Sequence, residues 1–347
     1  MQINKGQSFL PNLDFVRVCL MVCIVFYHSA LFWGKYWFYI PTTQTAPLLA
    51  FIAKWLNSFH IYGFVFLSGY LFYYLSVEKG KYTQFKEFFK NKFVRLIIPY
   101  ISISILWVIP LTYVFREDVL LEIVPKFLFG ISPAQLWFLL MLFGVFMLFY
   151  KTRRFHPILL ALGSFGISLI GRLLFANVFQ IWNVFAFLPF FQLGYYSRAG
   201  NVYKYLNPSK ISVSGYAFLQ IVLFVIIYYM PVDNSLVFRG IKELLSFVCH
   251  LLGAFVAFHV LTFYAPKKNS YILTKLAACS FGIYLFHQQI IYVVLTLTVN
   301  RLSPYLITLV CFIISYLLAQ LITALFLSNK YTAILIGKKG ENRQNES

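Results

Sequence analysis

The sequence predicts an all-α membrane protein with about ten membrane-spanning helices, and three observations support this fold class. Hydrophobic residues make up 61% of the 347 positions and charged residues only 11%, which leaves too few polar side chains to cover a soluble protein of this size. Apolar stretches of about 20 residues, the length that crosses a bilayer as a helix, recur along the whole chain. The dyad alternation of membrane β-strands is absent, so backbone groups in lipid must be satisfied within helices.

The hydropathy pattern divides the chain into ten predicted spans. They lie at 13–33, 59–77, 93–115, 133–150, 157–175, 178–196, 211–230, 241–264, 277–299 and 304–328. The shorter apolar stretch 46–57 is predicted to lie at the membrane interface or to enter the membrane as a half-helix. Because no repeat, linker or soluble domain interrupts the pattern, residues 1–347 are interpreted as one membrane domain. Its helical bundle covers residues 10–330, and residues 331–347 are predicted to be a short cytoplasmic tail.

Lysine and arginine in the loops predict the orientation of the bundle. Twenty of these residues fall in loops on the side that carries the N-terminus and seven on the opposite side, while Arg17 and Arg172 lie inside predicted helices. Cytoplasmic loops of membrane proteins are enriched in Lys and Arg, so both termini are predicted to be cytoplasmic. The same loops account for the net charge of +19 by contacting lipid headgroups, and no nucleic-acid partner is expected. The five cysteines lie in apolar segments without zinc-ligand spacing, so free buried thiols and no metal site are predicted.

The first predicted span contains three ionisable residues, Asp14, Arg17 and His28, in the sequence LDFVRVCLMVCIVFYHS. At about 100° per residue, Arg17 and His28 share one helix face and lie roughly 16 Å apart along the axis. Arg17 is placed near the cytoplasmic surface and His28 deep, towards the outer leaflet. An imidazole both donates and accepts protons, so an intramembrane histidine is a candidate functional group. Asp14 at a helix start is also typical of a cap or of a partner for the helix dipole, and Arg17 of a snorkelling anchor.

Several motifs occur in an order that is similar to acyltransferase family 3, a family of integral membrane proteins. The first span has Leu-Asp, then Arg17, ten intervening residues and His28. The further stretches are FHIYGFVFLSGYLF (59–72), FKNKFVRLIIPY (89–100), QLWFL (135–139), FFQLGYY (190–196) and CSFGIYLFH (279–287). Each motif alone is mostly apolar and weak. The ordered set, which runs from about residue 10 to 330, is a strong signal.

The resemblance implies a membrane O-acyltransferase, often an O-acetyltransferase, in the cell membrane of a bacterium. Such an enzyme would transfer an acyl group from cytoplasmic acyl-CoA, typically acetyl-CoA, to a hydroxyl of a cell-envelope or lipid-linked glycan. Acetyl-CoA would be a co-substrate, and no bound cofactor is expected. His28 matches the essential histidine, expected to act as the base, and Arg17 its partner, with Asp14 beside them. The family's Arg-x-x-Arg appears as Lys92-x-x-Arg95, which with Lys90 is expected to bind the donor phosphates. Lysine lacks the planar fork of arginine, so Lys92 supplies charge without bidentate recognition.

Four further residues are candidates for contact with the acceptor or for supporting His28. His60 opens the second span on the same side as His28, and Arg172 lies at the outer end of the fifth, where the charge rule disfavours it. Trp137 is placed to stack on a sugar, or to pack against lipid as belt residues do. His287, in the middle of the ninth span, is a candidate member of the same polar set.

Two other classes of protein remain open. An exporter or flippase of a polysaccharide would use the polar stripe of the first span to line a path. Such transporters often show paired broken helices in two related halves, and no such repeat is found. A non-catalytic membrane partner in an envelope assembly is the third alternative. Loss of the CoA thioester in a manner that depends on His28 would distinguish the enzyme from both.

Overall fold

The computed structural model describes residues 12–35, 40–115, 120–131, 134–231 and 235–338. These residues form helices and no strands, and ten helical segments are long and apolar enough to cross a membrane, which confirms the predicted all-α multi-pass fold. In chain order the helices are α1 (Leu13–Leu31), α2 (Pro47–Asn57), α3 (His60–Tyr73), α4 (Phe85–Lys92), α5 (Ile98–Ile103), α6 (Ile109–Phe115), α7 (Leu120–Leu128), α8 (Trp137–Thr152), α9 (Pro157–Leu174), α10 (Ile181–Arg198), α11 (Lys210–Tyr229), α12 (Leu236–Phe263), α13 (Tyr271–Thr298), α14 (Pro304–Ser328) and α15 (Lys330–Leu335). Short π-helical turns at Phe93–Ile97 and Ser104–Val108 join α4, α5 and α6 into one rod.

Three spans begin earlier than the hydropathy pattern predicts. The third starts at Phe85 rather than at residue 93, the eighth at Leu236 rather than at 241, and the ninth at Tyr271 rather than at 277. The last two follow serine caps, since the side chains of Ser235 and Ser270 accept hydrogen bonds from backbone N–H groups of the first turn. A cap fixes the first helical residue even where the following side chains are too polar to count towards a membrane span.

Two shorter segments take a more definite form than predicted. The stretch 46–57 contains α2, which packs against α1 and leads through a two-residue turn into α3. The first residues of the predicted tail form α15, and the Ser102 hydroxyl donates a hydrogen bond to the Leu335 carbonyl at 2.5 Å. Four basic residues used to predict the orientation lie outside the described residues. They are Lys5, Arg116, Lys339 and Arg343.

Helix α13 is the central helix of the bundle. Every residue from Gly282 to Ile291 is buried, and the helix packs mainly against α1 and α14. Its first turn lies beside the start of α1, because the Asn12 side chain donates a hydrogen bond to the Pro266 carbonyl at 3.0 Å and another to the Asn269 side chain. The two helices therefore run side by side in the same direction from one end of the bundle.

The outer faces of the bundle are apolar, as expected for surfaces in contact with lipid. Helices α9, α11 and α14 carry many exposed large hydrophobic side chains, among them Leu159, Leu162, Ile211, Leu317 and Leu321. In water such a continuous apolar surface would promote aggregation, whereas lipid tails solvate it. The exposed hydrophobic side chains thus agree with the lengths of the helices in placing this protein in a membrane.

Helices α3 and α10 cross at a contact that only glycine permits. A Cβ atom added at Gly69 would overlap the carbonyl oxygen of Phe191, and one added at Gly194 would overlap the carbonyl oxygen of Phe66. Small residues at such crossings allow membrane helices to approach backbone to backbone. The two glycines therefore fix the distance between α3, which carries His60, and α10.

Replacing Gly194 with alanine is expected to lower the thermal unfolding temperature of the detergent-solubilised protein. The added methyl group must push α3 and α10 apart, and overpacking of this kind costs about 1–3 kcal/mol. Gly163→Ala is the matched control, because a Cβ at this helical glycine of α9 meets nothing within 4 Å. An unchanged unfolding temperature in Gly194→Ala would show that the crossing has room to relax.

Candidate functional site

His28 and His287 form a hydrogen-bonded pair between α1 and α13. The Nδ1 atom of His28 lies 3.1 Å from the Nε2 atom of His287, and the two ring centroids are 4.9 Å apart. His287 is fully buried, and His28 is partly buried. The pair lies near the end of α1 remote from Asn12, so it occupies the interior of the bundle rather than its basic surface.

The hydrogen bonds of this pair determine which ring nitrogens carry protons. The Nδ1 atom of His287 lies 3.0 Å from the Ile283 carbonyl and 2.9 Å from the Tyr284 carbonyl, and a carbonyl can only accept, so this nitrogen is protonated. In a neutral ring the Nε2 atom of His287 then carries the lone pair that faces His28. The Nδ1 atom of His28 also lies 3.0 Å from the Ile24 carbonyl, so it must be the donor in both contacts. The lone pair of neutral His28 is therefore on Nε2, the nitrogen suited to act as a base.

His60 and Tyr27 complete a compact group with this pair. The Tyr27 ring centroid lies 4.8 Å from that of His28 and 4.7 Å from that of His60. His60 is buried, and its Nδ1–H donates to the Leu56 carbonyl at 2.7 Å, which places its lone pair on Nε2 as well. Tyr27, His28, His60 and His287 are called the histidine cluster below. The predicted residues His28, His60 and His287 thus lie together in space.

Asp14 and Arg17 form an ion pair at the opposite end of α1. Their side chains are 3.0 Å apart and both are about one third exposed, at 39% for Asp14 and 29% for Arg17. The helix cap is Asn12, whose side chain accepts from the Phe15 N–H at 3.1 Å, so the capping alternative for Asp14 is wrong. Asp14 instead holds Arg17 and accepts a hydrogen bond from Asn269 at 3.2 Å. Its place in the first turn also suits the helix dipole.

The three predicted donor-binding residues have different environments. Arg95 and Lys90 are exposed, and Arg95 lies close enough to Arg17 for their charges to interact. Lys92 is only 7% exposed, and its ammonium lies 3.6 Å from the centroid of the Phe146 ring. This cation–π contact holds Lys92 inside the bundle rather than on the surface beside Arg95. Arg17 and Arg95 are called the basic cluster below.

Arg172 is exposed near the end of α9. Its guanidinium donates a hydrogen bond to the Asn183 side chain at 2.9 Å, and its charge acts on the Tyr62 hydroxyl. The Tyr62 ring stacks on that of His250, with centroids 4.1 Å apart, and its hydroxyl interacts electrostatically with that of Tyr27. Arg172 is therefore connected to the histidine cluster through Tyr62.

Trp137 is partly buried at the start of α8. Its ring centroid lies 5.8 Å from that of Phe187, and Phe187 stacks on Tyr62 at 5.1 Å with their planes 10° apart. A row of aromatic rings thus leads from Trp137 to the neighbourhood of Tyr27. The predicted acceptor residues Trp137 and Arg172 lie on the histidine side of the bundle. Trp137 is linked to Tyr62 through Phe187, and the charge of Arg172 acts on Tyr62.

A buried ion pair at Arg198, the last residue of α10, was not predicted from the sequence. The Arg198 guanidinium binds both oxygens of Glu78, at 2.7 and 2.8 Å, and also donates to the Tyr70 hydroxyl at 3.1 Å. Arg198 is 5% exposed, so it does not contact lipid headgroups as a loop residue would. The sequence did contain an indication of this pair, because Glu78 is one of only 10 acidic residues and lies at the end of an apolar span. The pair fastens α10 to the end of the α3 segment.

Comparison with known families identifies the family to which this ten-span bundle belongs. A family model described as an acyltransferase domain matches residues 10–324, nearly the whole chain. The chain belongs to acyltransferase family 3. The resemblance drawn from the ordered motifs is thus confirmed, and the protein is a membrane acyltransferase in general terms. Searches of curated proteins and of solved structures gave no match.

The site of this acyltransferase contains a neutral imidazole, His28, whose Nε2 is unprotonated, and a second imidazole, His287, contacts its other nitrogen. Within the described part of the chain, no group of three histidine, cysteine or acidic side chains is arranged to hold a metal ion. Arg17 of the basic cluster lies on the same helix as His28, roughly 16 Å away along the axis at about 1.5 Å per residue.

Nitrogen NMR of the ¹⁵N-histidine-labelled acyltransferase in lipid nanodiscs is expected to show His28 as the neutral tautomer protonated at Nδ1. The Ile24 carbonyl and the Nε2 atom of His287 both require a donor at this position. The spectrum of His28→Asn identifies the His28 signals by their loss, and exposed His156 supplies a reference whose tautomers exchange in water. A His28 ring protonated at Nε2 alone would contradict the assigned hydrogen bonds.

Proposed function

We propose that this acyltransferase moves an acyl group, an acetyl group by preference, from acyl-CoA to a hydroxyl of an extracytoplasmic glycan, with His28 as the base. Family membership supports acyl transfer as the reaction class. The observation that carries the finer proposal is the His28–His287 pair, which directs an unprotonated imidazole nitrogen into a membrane bundle. The charges at one end of that bundle support the choice of donor, and the aromatic rings at the other end support the choice of acceptor.

In the proposed reaction, Nε2 of His28 removes the proton from the acceptor hydroxyl while its oxygen attacks the thioester carbonyl. The resulting tetrahedral intermediate collapses with cleavage of the C–S bond. The CoA thiolate then takes the proton back from the His28 imidazolium, so that the enzyme returns to its starting state with free CoA and an ester as products. One histidine thus serves as base and then as acid.

His287 is proposed to position His28 for this role. The Nε2 lone pair of His287 and the Ile24 carbonyl both accept from Nδ1–H of His28. These contacts fix the ring orientation and keep Nε2 as the basic nitrogen. When His28 is transiently protonated, the same two acceptors face the positive ring and stabilise it.

The basic cluster is proposed to bind the nucleotide phosphates of the donor. Arg17 and Arg95 bring two guanidinium groups together at the start of α1, and guanidinium forks match phosphate oxygens. From this point the pantetheine arm would run along α1 towards His28, a distance of roughly 16 Å. The charge distribution in the loops supports a cytoplasmic position for this end, where acyl-CoA is made, and for both termini.

The acceptor glycan is proposed to approach from the histidine side. Trp137 offers an aromatic ring there, on which a sugar ring can stack, and exposed Arg172 offers a cation for an acidic sugar or a lipid-linked phosphate. His60 lies within the histidine cluster and would contact the acceptor next to the reacting hydroxyl. With donor and acceptor at opposite ends of α1, the acyl group reaches the acceptor at the end of the pantetheine arm. The nucleotide end of CoA stays at the basic cluster.

The variant His28→Asn is expected to reduce transfer by about 10²- to 10⁴-fold, the usual contribution of a general base. Asparagine retains a short N–H donor but lacks the basic Nε2. Release of CoA thiol by purified protein with acetyl-CoA and the cell's own glycan measures the effect, and protein yield and unfolding temperature check the fold. His156→Asn, at an exposed histidine before α9, is the control that should retain full activity. Transfer at the wild-type rate in His28→Asn would refute the role, and glycan movement without thiol release would favour an exporter.

Arg95→Gln is expected to raise the KM for acetyl-CoA roughly fivefold, because a charge-assisted contact to a partly exposed phosphate is lost. The KM for acetyl-pantetheine, which lacks the nucleotide phosphates, should not change. Lys204→Gln, at an exposed lysine of another connection, is the control for a general loss of positive charge. Equal KM changes for the two donors would remove Arg95 from the phosphate site.

A further inference from the structure

Three buried glutamines lie next to the histidine cluster and have polar atoms that nothing in the described part of the chain satisfies. Gln135, which precedes α8, and Gln288 and Gln289 of α13 are 3%, 3% and 1% exposed. The Gln135 and Gln288 side-chain oxygens and the Gln289 side-chain nitrogen have no hydrogen-bond partner among the described residues. These residues are called the glutamine cluster below. Buried polar groups in native proteins are nearly always paired, so three orphans in one place require a reason.

The contacts that these side chains do make fix the orientation of two of the amides. The Gln135 nitrogen donates to the Leu285 carbonyl at 2.8 Å, so its oxygen is the unpaired atom. The same nitrogen also lies 3.2 Å from the Gln289 oxygen, which must accept, and this leaves the Gln289 nitrogen as the unpaired atom. The cluster therefore presents at least one acceptor and one donor side by side.

The glutamine cluster is adjacent to the reacting end of the bundle. Gln288 and Gln289 follow His287 directly on α13, one and two residues further from the basic end. The Tyr284 hydroxyl donates to the Gln135 carbonyl, and the Tyr284 ring lies 6.2 Å from that of His287. Trp137, two residues after Gln135, begins the row of aromatic rings that leads to Tyr27.

We infer that the glutamine cluster is a binding subsite for hydroxyl groups of the sugar acceptor, an inference that rests on the proposed function. A hydroxyl donates one hydrogen bond and accepts two, so it can satisfy the Gln135 oxygen and the Gln289 nitrogen together. The two amides of the pantetheine arm have the same hydrogen-bonding chemistry. However, the arm extends from the basic cluster to a thioester beside His28, so its amides lie on the basic side of His28. The glutamines lie beyond His287 on the other side, which favours the acceptor.

The test compares acceptor and donor kinetics in the double variant Gln288→Met/Gln289→Met. Methionine keeps the unbranched shape of glutamine but removes the amide, and the Gln135 nitrogen retains its bond to the Leu285 carbonyl. The KM for the cell's own glycan is expected to rise roughly tenfold, with the KM for acetyl-CoA unchanged. Gln220→Met is the matched control, because Gln220 is 4% exposed but its nitrogen already donates to the Ser58 hydroxyl at 2.8 Å.

Two results of the kinetic test would contradict the inference. A rise in the acetyl-CoA KM alone would assign the amides to the pantetheine arm, and a lower unfolding temperature with both KM values unchanged would show a purely structural role. A parallel measurement is independent of turnover: methyl glycosides should raise the unfolding temperature of wild-type protein and not that of the double variant. If the wild type consumes no thioester, the proposed function fails, and the glycoside shifts still decide whether the glutamine cluster binds sugar. Equal shifts in both proteins, or none in either, would overturn the subsite.

Discussion

The hydrogen bond between His28 and His287 is the contact on which the rest of the arrangement depends. In lipid, a polar side chain must find its partners within the bundle, so two imidazoles on different helices constrain both helices at once. Each ring also contacts backbone carbonyls of its own helix, that of Ile24 at Nδ1 of His28 and those of Ile283 and Tyr284 at Nδ1 of His287. These carbonyls cannot move without unwinding a helix turn. The tautomer of His28 is therefore determined by the fold, without a carboxylate in the histidine cluster.

Helices α1 and α13 also separate the chemistry of the bundle into two ends. They begin together at the contacts of Asn12 with Pro266 and Asn269 and meet again at the histidine pair. The region between is apolar, so charges are confined to the basic end, where Asp14 and Arg17 neutralise one another in part. In the proposed function, this apolar stretch would keep water from the thioester while the pantetheine arm reaches towards His28.

Most of the fold was predictable from the sequence, and three of the predicted histidines lie together in the candidate site; what could be predicted and what could not have physical reasons. Ten spans were predictable because lipid requires an apolar length in each, and His28 was predictable because helical periodicity alone places it on the face of Arg17. That His287 would face His28 depends on the rotation of α13 about its axis, which no property of one segment encodes. The cap at Asn12 and the ion pair of Glu78 with Arg198 were missed for a related reason: the capping residue lies outside the apolar pattern, and the pair joins residues far apart in the chain.

Lys92 shows how packing can change what a motif position does. A lysine here ends in a compact ammonium, which fits against the face of Phe146 with the rings of Tyr82 and Phe88 at 5.5 and 5.8 Å. A planar guanidinium at the same position would need space for five donors and partners for them, and this pocket offers aromatic faces instead. Arg95, by contrast, is exposed on the π-helical turn Phe93–Ile97 near Arg17, where the proposed function places the donor phosphates. Of the two cations of this motif, Lys92 therefore packs in the core and Arg95 is exposed.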